Sequence, residues 1–388
     1  MAEPREAEMH RTGCSACQLG DPSGNIDTMN ADNAKTEGAP PLKVALVLTP
    51  QCVLSGVLGV MDMLSTANYV ARKFPGVDVR FQPMLVSADG MPVETMNGVS
   101  MPAQSNLPDP HAVAIAFLPS GPPANFGATR MQQSLLGQQK LIAWLRAVHE
   151  AGGLLASCCT GSFLLAATGL LDGRLATTHW RGEEAFRTLF PRVELRIDSL
   201  LVEGERLLCG GGAQSFSSTV LRLISQMQGE AVAAQTARLM LADGHTSGQN
   251  AYRLWVPRRD HGDEAIALGQ QWLETHYREA FDLDGLAAQL RLTPRTLMRR
   301  FRQATGLTPL QYQQSLRIEA AKAQLEASRE SVSQIVWQTG YEDASSFQRL
   351  FKRETGLTMA EYRQRFGQRR WRAEGGGLVG AGTHTGLA

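Results

Sequence analysis

An internal repeat near its C-terminal end constrains the fold of this 388-residue chain more than any other feature. The sixteen residues from Arg299 to Gln314 recur fifty positions later, at 349–364, with eight identical positions. Each copy follows a short amphipathic segment, predicted to be helical at Leu283–Leu290 and at Val332–Gln338. A short helix, a tight turn and a longer basic helix form a helix-turn-helix, so the repeat predicts two such units.

The segment between the two units is predicted to form one continuous helix, Leu310–Ala327, because it contains no internal Gly or Pro. Eighteen helical residues span about 27 Å. This length is close to the roughly 34 Å that separate successive major-groove segments on one face of DNA. Residues 263–372 also carry an excess of cations, with 17 Lys and Arg against 13 Asp and Glu. Both features indicate DNA binding, although a plain all-helical interaction domain remains the alternative.

Residues 263–366 resemble AraC/XylS transcriptional regulators, through Arg317-Ile-Glu-Ala-Ala-Lys322 and through the run from Gly340 to Lys352. The resemblance implies binding to double-stranded promoter DNA, contact with RNA polymerase and assembly as a homodimer. It places base contacts at Arg295, Met298, Arg299, Ala344, Ser345, Gln348 and Arg349, and phosphate contacts at Arg302, Lys352 and Arg353. Each of these could instead be a solvated surface side chain. Arg291 stands where the family often has glycine, which leaves the geometry of the first turn open.

The preceding residues, 42–243, alternate apolar runs with amphipathic segments of helical length. This pattern predicts an α/β domain of the flavodoxin-like kind, a parallel sheet with helices on both faces. Residues 244–262 read as a linker, 1–41 as a disordered leader and 367–388 as a flexible tail. The uncharged run Ala151–Leu171 is long enough to raise the question of a membrane span, but its glycines and hydroxyl residues favour a buried strand followed by a buried helix.

The α/β region resembles the glutamine amidotransferase-like superfamily that includes the ThiJ and PfpI proteins, through residues 157–165 and 170–180. With the C-terminal region, it resembles the GlxA subfamily of regulators. The superfamily's nucleophile, on a strained strand-to-helix turn, corresponds to Cys159, and a histidine follows at His179. We expect Cys159, Thr160 and His179 to line a ligand pocket and Cys158 to be a core residue. The loop 50–56 lacks the superfamily's acid, and the first carboxylate is Asp62 on the next helix.

The sequence therefore predicts a transcriptional regulator, not an enzyme, whose α/β domain binds a small effector such as an amino acid or a quaternary ammonium metabolite. Cys159 is interpreted as a pocket thiol, a redox sensor, a small buried residue or a surviving nucleophile. The last case is the alternative, a cysteine-dependent amidase, glyoxalase or peptidase. We expect no metal and no cofactor, because Cys14 and Cys17 lack a second pair and residues 209–213 lack the spacing of a dinucleotide-binding loop. Few, irregular cysteines and no signal peptide predict a cytoplasmic protein.

Overall fold

The structure is a computed structural model that describes residues 40–121, 127–242 and 248–367. Cys14, Cys17, most of the predicted leader and nearly all of the predicted tail lie outside these ranges. The strands are β1 (Leu42–Val47), β2 (Phe81–Val86), β3 (Val93–Glu94), β4 (Ser100–Met101), β5 (Ile115–Leu118), β6 (Leu154–Cys158), β7 (Leu175–Ala176), β8 (Glu194–Leu195), β9 (Leu201–Gly204) and β10 (Leu207–Gly210). The helices are α1 (Leu54–Ala71), α2 (Ala128–Leu136), α3 (Gln139–Glu150), α4 (Gly161–Ala167), α5 (Glu183–Leu189), α6 (Phe216–Gln228), α7 (Glu230–Leu239), α8 (Glu264–His276), α9 (Leu283–Gln289), α10 (Pro294–Thr305), α11 (Pro309–Ala327), α12 (Val332–Gln338), α13 (Ala344–Thr355) and α14 (Met359–Phe366).

The first region is built on a six-stranded sheet in the order β2-β1-β5-β6-β10-β9. All neighbouring pairs are parallel except the edge pair β10-β9. Successive side chains of a strand point to opposite faces, so Val44 and Leu46 enter one core and Ala45 and Val47 the other. Helices α1 and α6 cover the first face, and α3 and α4 the second. The predicted parallel sheet with helices on both faces is confirmed.

The long apolar run at 151–171 divides between β6 and α4, as the pattern of glycines and hydroxyl residues predicts. Within the ranges described above, no helix is both long and apolar enough to cross a membrane. Residues 194–204 contain two separate short strands, β8 and β9. The first part pairs with β7 in a small sheet, and the second pairs with β10 at the edge of the main sheet.

The second region is helical, and its repeat is longer than the sequence match shows. Helices α8 to α10 and the first part of α11 enclose one core, which contains Leu273 and Phe301. The second part of α11 and helices α12 to α14 enclose another, which contains Leu325 and Phe351. Helix α8 therefore has the same place in the first unit as the end of α11 has in the second. The two predicted helix-turn-helix units are confirmed.

The repeated Thr-Gly-Leu-Thr sequence forms the corner after each long helix. Gly306 ends α10 at a φ of +79°, and Gly356 ends α13 at +76°, the left-handed conformation that glycine adopts most readily. Thr308 and Thr358 then cap α11 and α14, each through a capping box with the residue three positions later. These backbone roles explain why the same four residues recur: in each copy the glycine ends one helix and the second threonine caps the next.

The turns inside the two units have the same left-handed residue, although their sequences differ. It is Arg291, at a φ of +55°, in the first unit and Gly340, at +82°, in the second. Arg291 therefore occupies the glycine position of the turn without changing its geometry. At Gly340 a second constraint applies, because an added Cβ would lie 1.9 Å from the carbonyl oxygen of Arg278.

This difference predicts unequal costs for replacing two left-handed glycines. Gly306 has no neighbour within 4 Å of an added Cβ. Gly306→Ala should therefore lower the free energy of unfolding by only about 1–2 kcal/mol of backbone strain. Gly340→Ala should cost at least about 1 kcal/mol more, since the Arg278 backbone must move. Urea unfolding of both variants, followed by circular dichroism, measures the difference, and equal losses would contradict the close approach.

Candidate nucleic-acid interface and elbow site

Helices α10 and α13 present matching exposed faces. In α10, Arg295, Met298, Arg299 and Arg302 are exposed, at positions i, i+3, i+4 and i+7 of one helical face. The positions fifty residues later in α13 hold Ser345, Gln348, Arg349 and Lys352, which are also exposed. Ala344 is half-buried at the start of α13 and Arg353 is exposed beside this face. Every predicted DNA-contacting residue except Ala344 is thus exposed on its helix.

The opposite faces of the same helices anchor them. Leu297 and Phe301 of α10 are fully buried, as are Phe347 and Phe351 of α13. One arginine of α10 is also used for anchoring, because Arg300 forms a two-pronged ion pair with Asp263 at the start of α8. This pairing lowers the pKa of the Asp263 carboxyl. The basic residues of α10 thus divide between an anchoring side and an exposed side.

The exposed cations of the two helices have different surroundings. Arg295, Arg299 and Arg302 form no ion pair with any residue in the described ranges, which leaves their guanidinium groups available to an external anion or base edge. Arg349 donates to the hydroxyl of Ser346 at 2.9 Å, which orients its side chain along α13. Arg353 pairs with the neighbouring Glu354 at 2.8 Å, in an exposed contact of small energetic value.

Two cationic residues of the Arg317–Lys322 motif in α11 have structural roles in this fold. Arg317 is buried and donates to the backbone oxygens of Tyr277 and Glu279, just after the end of α8. Lys322 is also buried and donates to the backbone oxygen of Arg253 at 2.7 Å. These long cationic side chains satisfy backbone groups in the interior, so they are not part of the exposed cationic surface.

The α/β region contains a strained strand-to-helix turn, which we call the elbow, at Cys159 and Thr160. Cys159 follows β6 at a φ of +54°, in the left-handed region that β-carbon-bearing residues rarely adopt. Its backbone N–H donates to Gly210, and its carbonyl accepts from the Thr178 hydroxyl at 2.8 Å. Gly161 is required next, because a Cβ there would lie 2.6 Å from the carbonyl oxygens of Leu118 and Pro119, at the end of β5.

The thiol at the elbow is not activated. Cys159 is 7% exposed, and burial raises the pKa of its thiol, an effect that hydrogen bonding to Ser120 and Thr160 only partly offsets. A raised pKa means that the thiol is protonated near neutral pH, whereas nucleophilic catalysis requires the thiolate. Cys158 is fully buried in the core, as predicted, and its pKa is raised to about 12.

His179 is not paired with Cys159. Its Nδ1 accepts a hydrogen bond from the backbone N–H of Arg181 at 3.1 Å, and its ring stacks on Trp180. Desolvation, with a smaller contribution from Arg181, lowers the pKa of the imidazole. No hydrogen bond in the described part of the chain joins His179 to Cys159. Asp62, the first acid after the loop 50–56, is exposed on α1. The arrangement therefore lacks the thiol, base and acid contacts of a catalytic triad.

Comparison with known proteins identifies both regions. The DJ-1/PfpI family matches residues 43–195, and a helix-turn-helix domain family matches residues 286–365. The chain joins a DJ-1/PfpI domain to an AraC-type helix-turn-helix domain. The HTH-type transcriptional regulator CdhR of Pseudomonas aeruginosa is 29% identical over 309 residues, which cover 79% of this chain and 87% of the relative. GbdR of the same species is 22% identical over 342 residues, covering 87% and 88%. GlxA of Rhizobium meliloti is 28% identical over 230 residues, covering 58% and 69%.

The connection between the DJ-1/PfpI domain and the AraC-type domain contains residues that the sequence pattern did not reveal. Gln249 is 2% exposed, and its side-chain amide donates to the Thr178 carbonyl and accepts from the Trp180 backbone N–H. Two residues later, Ala251 is buried in the core of the second helix-turn-helix unit. The part of the predicted linker that the structure describes is therefore packed against both domains. In the sequence, only the mixture of apolar and polar residues at 249–252 could have indicated this packing, because the contacts join segments far apart in the chain.

Because the Cys159 thiol is protonated near neutral pH, it should react slowly with an alkylating reagent. Because the pKa is raised, the thiolate fraction at about pH 7 should be smaller than that of an ordinary cysteine, and reactivity should rise only above the ordinary pKa of 9.0. Peptide-resolved mass spectrometry after iodoacetamide treatment across a pH series measures this, with the protein unfolded in urea as the control. Fast, pH-independent alkylation of Cys159 below about pH 7 would show instead an activated thiolate.

Proposed function

We propose that this protein is a sequence-specific DNA-binding transcriptional regulator that a small metabolite controls through the DJ-1/PfpI domain. The observation that carries the proposal is the matching exposed face of α10 and α13. The two helices have the same design, since a buried phenylalanine anchors each one and each exposes side chains, all but Met298 polar, at i, i+3, i+4 and i+7. This design suits insertion into two major-groove segments. The relatives named as HTH-type transcriptional regulators support the same function.

The exposed face of each helix has the chemistry for reading base edges. Arginine can donate two hydrogen bonds to guanine O6 and N7, and glutamine can form a matching pair with adenine. We propose that the base contacts are made by Arg295, Met298, Arg299, Ala344, Ser345, Gln348 and Arg349. Arg302, Lys352 and Arg353 lie toward the C-terminal ends of the helices, where contacts to phosphates would fix the register of the protein on the duplex.

The spacing of the two contacts follows from α11. Its nineteen residues correspond to about 28 Å of continuous helix. The side chain of Tyr312 near its start lies in the first core and that of Leu325 near its end in the second. We infer that the two recognition helices contact the same face of DNA about one turn apart.

Control of DNA binding requires a physical connection between the domains, and Gln249 supports one. Its amide holds the backbone of Thr178 and Trp180, and the Thr178 hydroxyl holds the elbow carbonyl of Cys159. The following residue pair, Ala251 and Tyr252, packs on α13 and α14, with the Tyr252 ring 5.1 Å from that of Phe366. A change at the elbow would therefore move the segment that supports the second recognition helix.

We propose that the effector binds at the carboxyl ends of the parallel strands, the edge of an α/β sheet where ligands usually bind. Cys159, Thr160 and His179 lie at this edge. Their proposed role is as walls of a pocket, with the hydroxyl of Thr160 already bonded to the Gly121 N–H at 2.7 Å. Assembly as a homodimer, contact with RNA polymerase and a cytoplasmic location are parts of the same proposal, since a promoter-binding regulator acts on transcription.

A second candidate function, a cysteine-dependent amidase, glyoxalase or peptidase, is supported only by the elbow backbone. The left-handed Cys159 keeps the geometry that exposes a nucleophile in enzymes of this fold. Burial of the thiol, a raised pKa and a histidine bonded elsewhere all oppose the reaction. Turnover of amides or 2-oxoaldehydes that disappears in Cys159→Ala would favour this candidate over the regulator.

The proposed DNA-reading face predicts the effect of two arginine substitutions. Arg299→Ala and Arg349→Ala should each weaken binding to a site selected from a random-sequence library by about 1–3 kcal/mol, because a two-pronged base contact is lost. Discrimination among bases should also relax at one position for each variant. Fluorescence anisotropy at fixed salt concentration measures both effects.

Arg192→Ala is the control for these variants, because it removes one positive charge from an arginine that is 79% exposed in the DJ-1/PfpI domain. Its affinity for the selected site should equal that of the wild type. Equal affinities of all three variants would contradict the proposed reading face.

The proposed connection predicts that Gln249→Ala removes the energetic coupling between the two domains. Binding of the selected DNA should increase hydrogen-exchange protection at residues 154–179 of the wild type, since coupling between two sites is reciprocal. In Gln249→Ala this increase should disappear while DNA is still bound. Gln228→Ala is a matched control, because Gln228 is also a buried glutamine but bonds to Val79 within the DJ-1/PfpI domain. An unchanged response in Gln249→Ala would exclude this connection.

A further inference from the structure

The two helix-turn-helix units meet at a second place, apart from the helix α11 that they share. Residues 277–279, directly after α8, belong to the first unit, and the turn at Gly340 and Tyr341 belongs to the second. The approach is so close that the backbone of Arg278 leaves no room for a Cβ at Gly340. This second contact can fix the angle between the units. Helix α11 alone leaves that angle open, because helix packing angles scatter by about 15–20° around their preferred values.

The side chain of Arg317, near the middle of α11, lies between the two sides of this contact. It is 7% exposed, and its Nε and Nη2 donate to the carbonyl oxygens of Tyr277 and Glu279, on the side of the first unit. Its guanidinium carbon lies 4.9 Å from the centroid of the Tyr341 ring, on the side of the second unit. One planar cation therefore holds both units, through hydrogen bonds to the first and a cation–π contact with the second.

Each side of the contact continues to a recognition helix. The ring of Tyr341 lies 4.8 Å from that of Phe347, which is fully buried and anchors α13 in the second core. On the other side, α8 and α10 contribute Leu273 and Phe301 to the first core. A continuous series of packed groups therefore runs from α10, through α8 and Arg317, to α13.

The need to satisfy backbone oxygens does not explain a buried arginine at this place. Gln313, one turn earlier on α11, donates to the same two carbonyl oxygens at 3.2 and 3.0 Å. No carboxylate among the described residues forms an ion pair with Arg317, so its charge is buried without a counter-ion. Burying such a charge costs free energy that an apolar residue would avoid. What Arg317 adds to the bonds of Gln313 is the contact with Tyr341.

We propose that Arg317 is a positioning residue that fixes the angle between the two recognition helices, by joining the end of α8 to the Tyr341 ring. Helix α11 sets the distance between the recognition helices, and Arg317 sets their relative rotation. The inference rests on the proposed function, because the rotation is read out on DNA. One added base pair rotates a contact region by about 34–36°, which exceeds the ordinary scatter of helix packing. Two units held at a fixed angle should therefore reject this change, and loosened units should tolerate it.

The test measures the affinity of the full chain, by fluorescence anisotropy at fixed salt concentration, for a selected DNA site and for the same site with one base pair inserted between its two contact regions. The insertion should weaken binding of the wild type at least about tenfold. In Arg317→Lys, which keeps the charge without the planar fork, and in Tyr341→Leu, which removes the ring, the loss should be about threefold or less.

A third duplex, which keeps only the contact region of α10, separates positioning from folding. Both variants should bind it as the wild type does, because each unit keeps its own core and Gln313 still holds the segment after α8. A residue that only stabilises the fold would instead weaken binding to this duplex and leave the effect of the insertion unchanged.

Lys322→Met is the matched control, because Lys322 is also a buried cation of α11 but donates to Arg253 in the connection and not across the two units. The insertion should weaken its binding as much as that of the wild type. A wild-type loss in both Arg317→Lys and Tyr341→Leu would overturn the proposal, as would a wild type that tolerates the insertion. Failure of the regulator itself appears separately, as absence of sequence-selective DNA binding by the wild type.

Discussion

The arrangement of the DNA-binding domain depends on one helix that belongs to two cores. The start of α11 contributes Tyr312 to the first core, where its hydroxyl donates to Glu274 at 2.6 Å. The end of the same helix contributes Leu325 to the second core, where Tyr362 makes the equivalent bond to Glu326 at 2.7 Å. Because the two units share a rigid element and are not joined by a loop, the distance between their recognition helices is fixed by helix geometry.

The DJ-1/PfpI domain contains a strained elbow whose thiol is buried. Cys159 has a left-handed backbone conformation, and burial keeps its thiol protonated. His179 accepts a hydrogen bond from the backbone N–H of Arg181, two residues later, and forms none with Cys159 among the described residues. The hydrogen bonds around the elbow now connect it to neighbouring segments, above all through Thr178 to Gln249. A strained turn held by several elements is suited to control, because a small displacement of one partner is transmitted to the others.

Much of this fold could be predicted from the sequence, because its main elements have strong local signals. Helix α12 has the predicted bounds, Val332–Gln338, and the Thr-Gly-Leu-Thr corners follow from the repeat. Strands β3 and β4 were not predicted, since two residues give no periodicity. The contacts of Gln249 were also beyond sequence reasoning, because they join segments far apart in the chain. The residues on the exposed face of each recognition helix were predicted from the resemblance to AraC/XylS regulators, and helical spacing accounts for their lying on one face.

The rigid spacing of the two recognition helices can be tested by changing the DNA. In a DNA site selected by the protein, footprinting should show two contact regions about 10 base pairs apart on one face. Inserting about 5 base pairs between them should turn one region to the opposite face of the duplex, and affinity should fall to that of a single unit. Undiminished affinity after the insertion would contradict a fixed α11 spacer and would mean that the two units move independently.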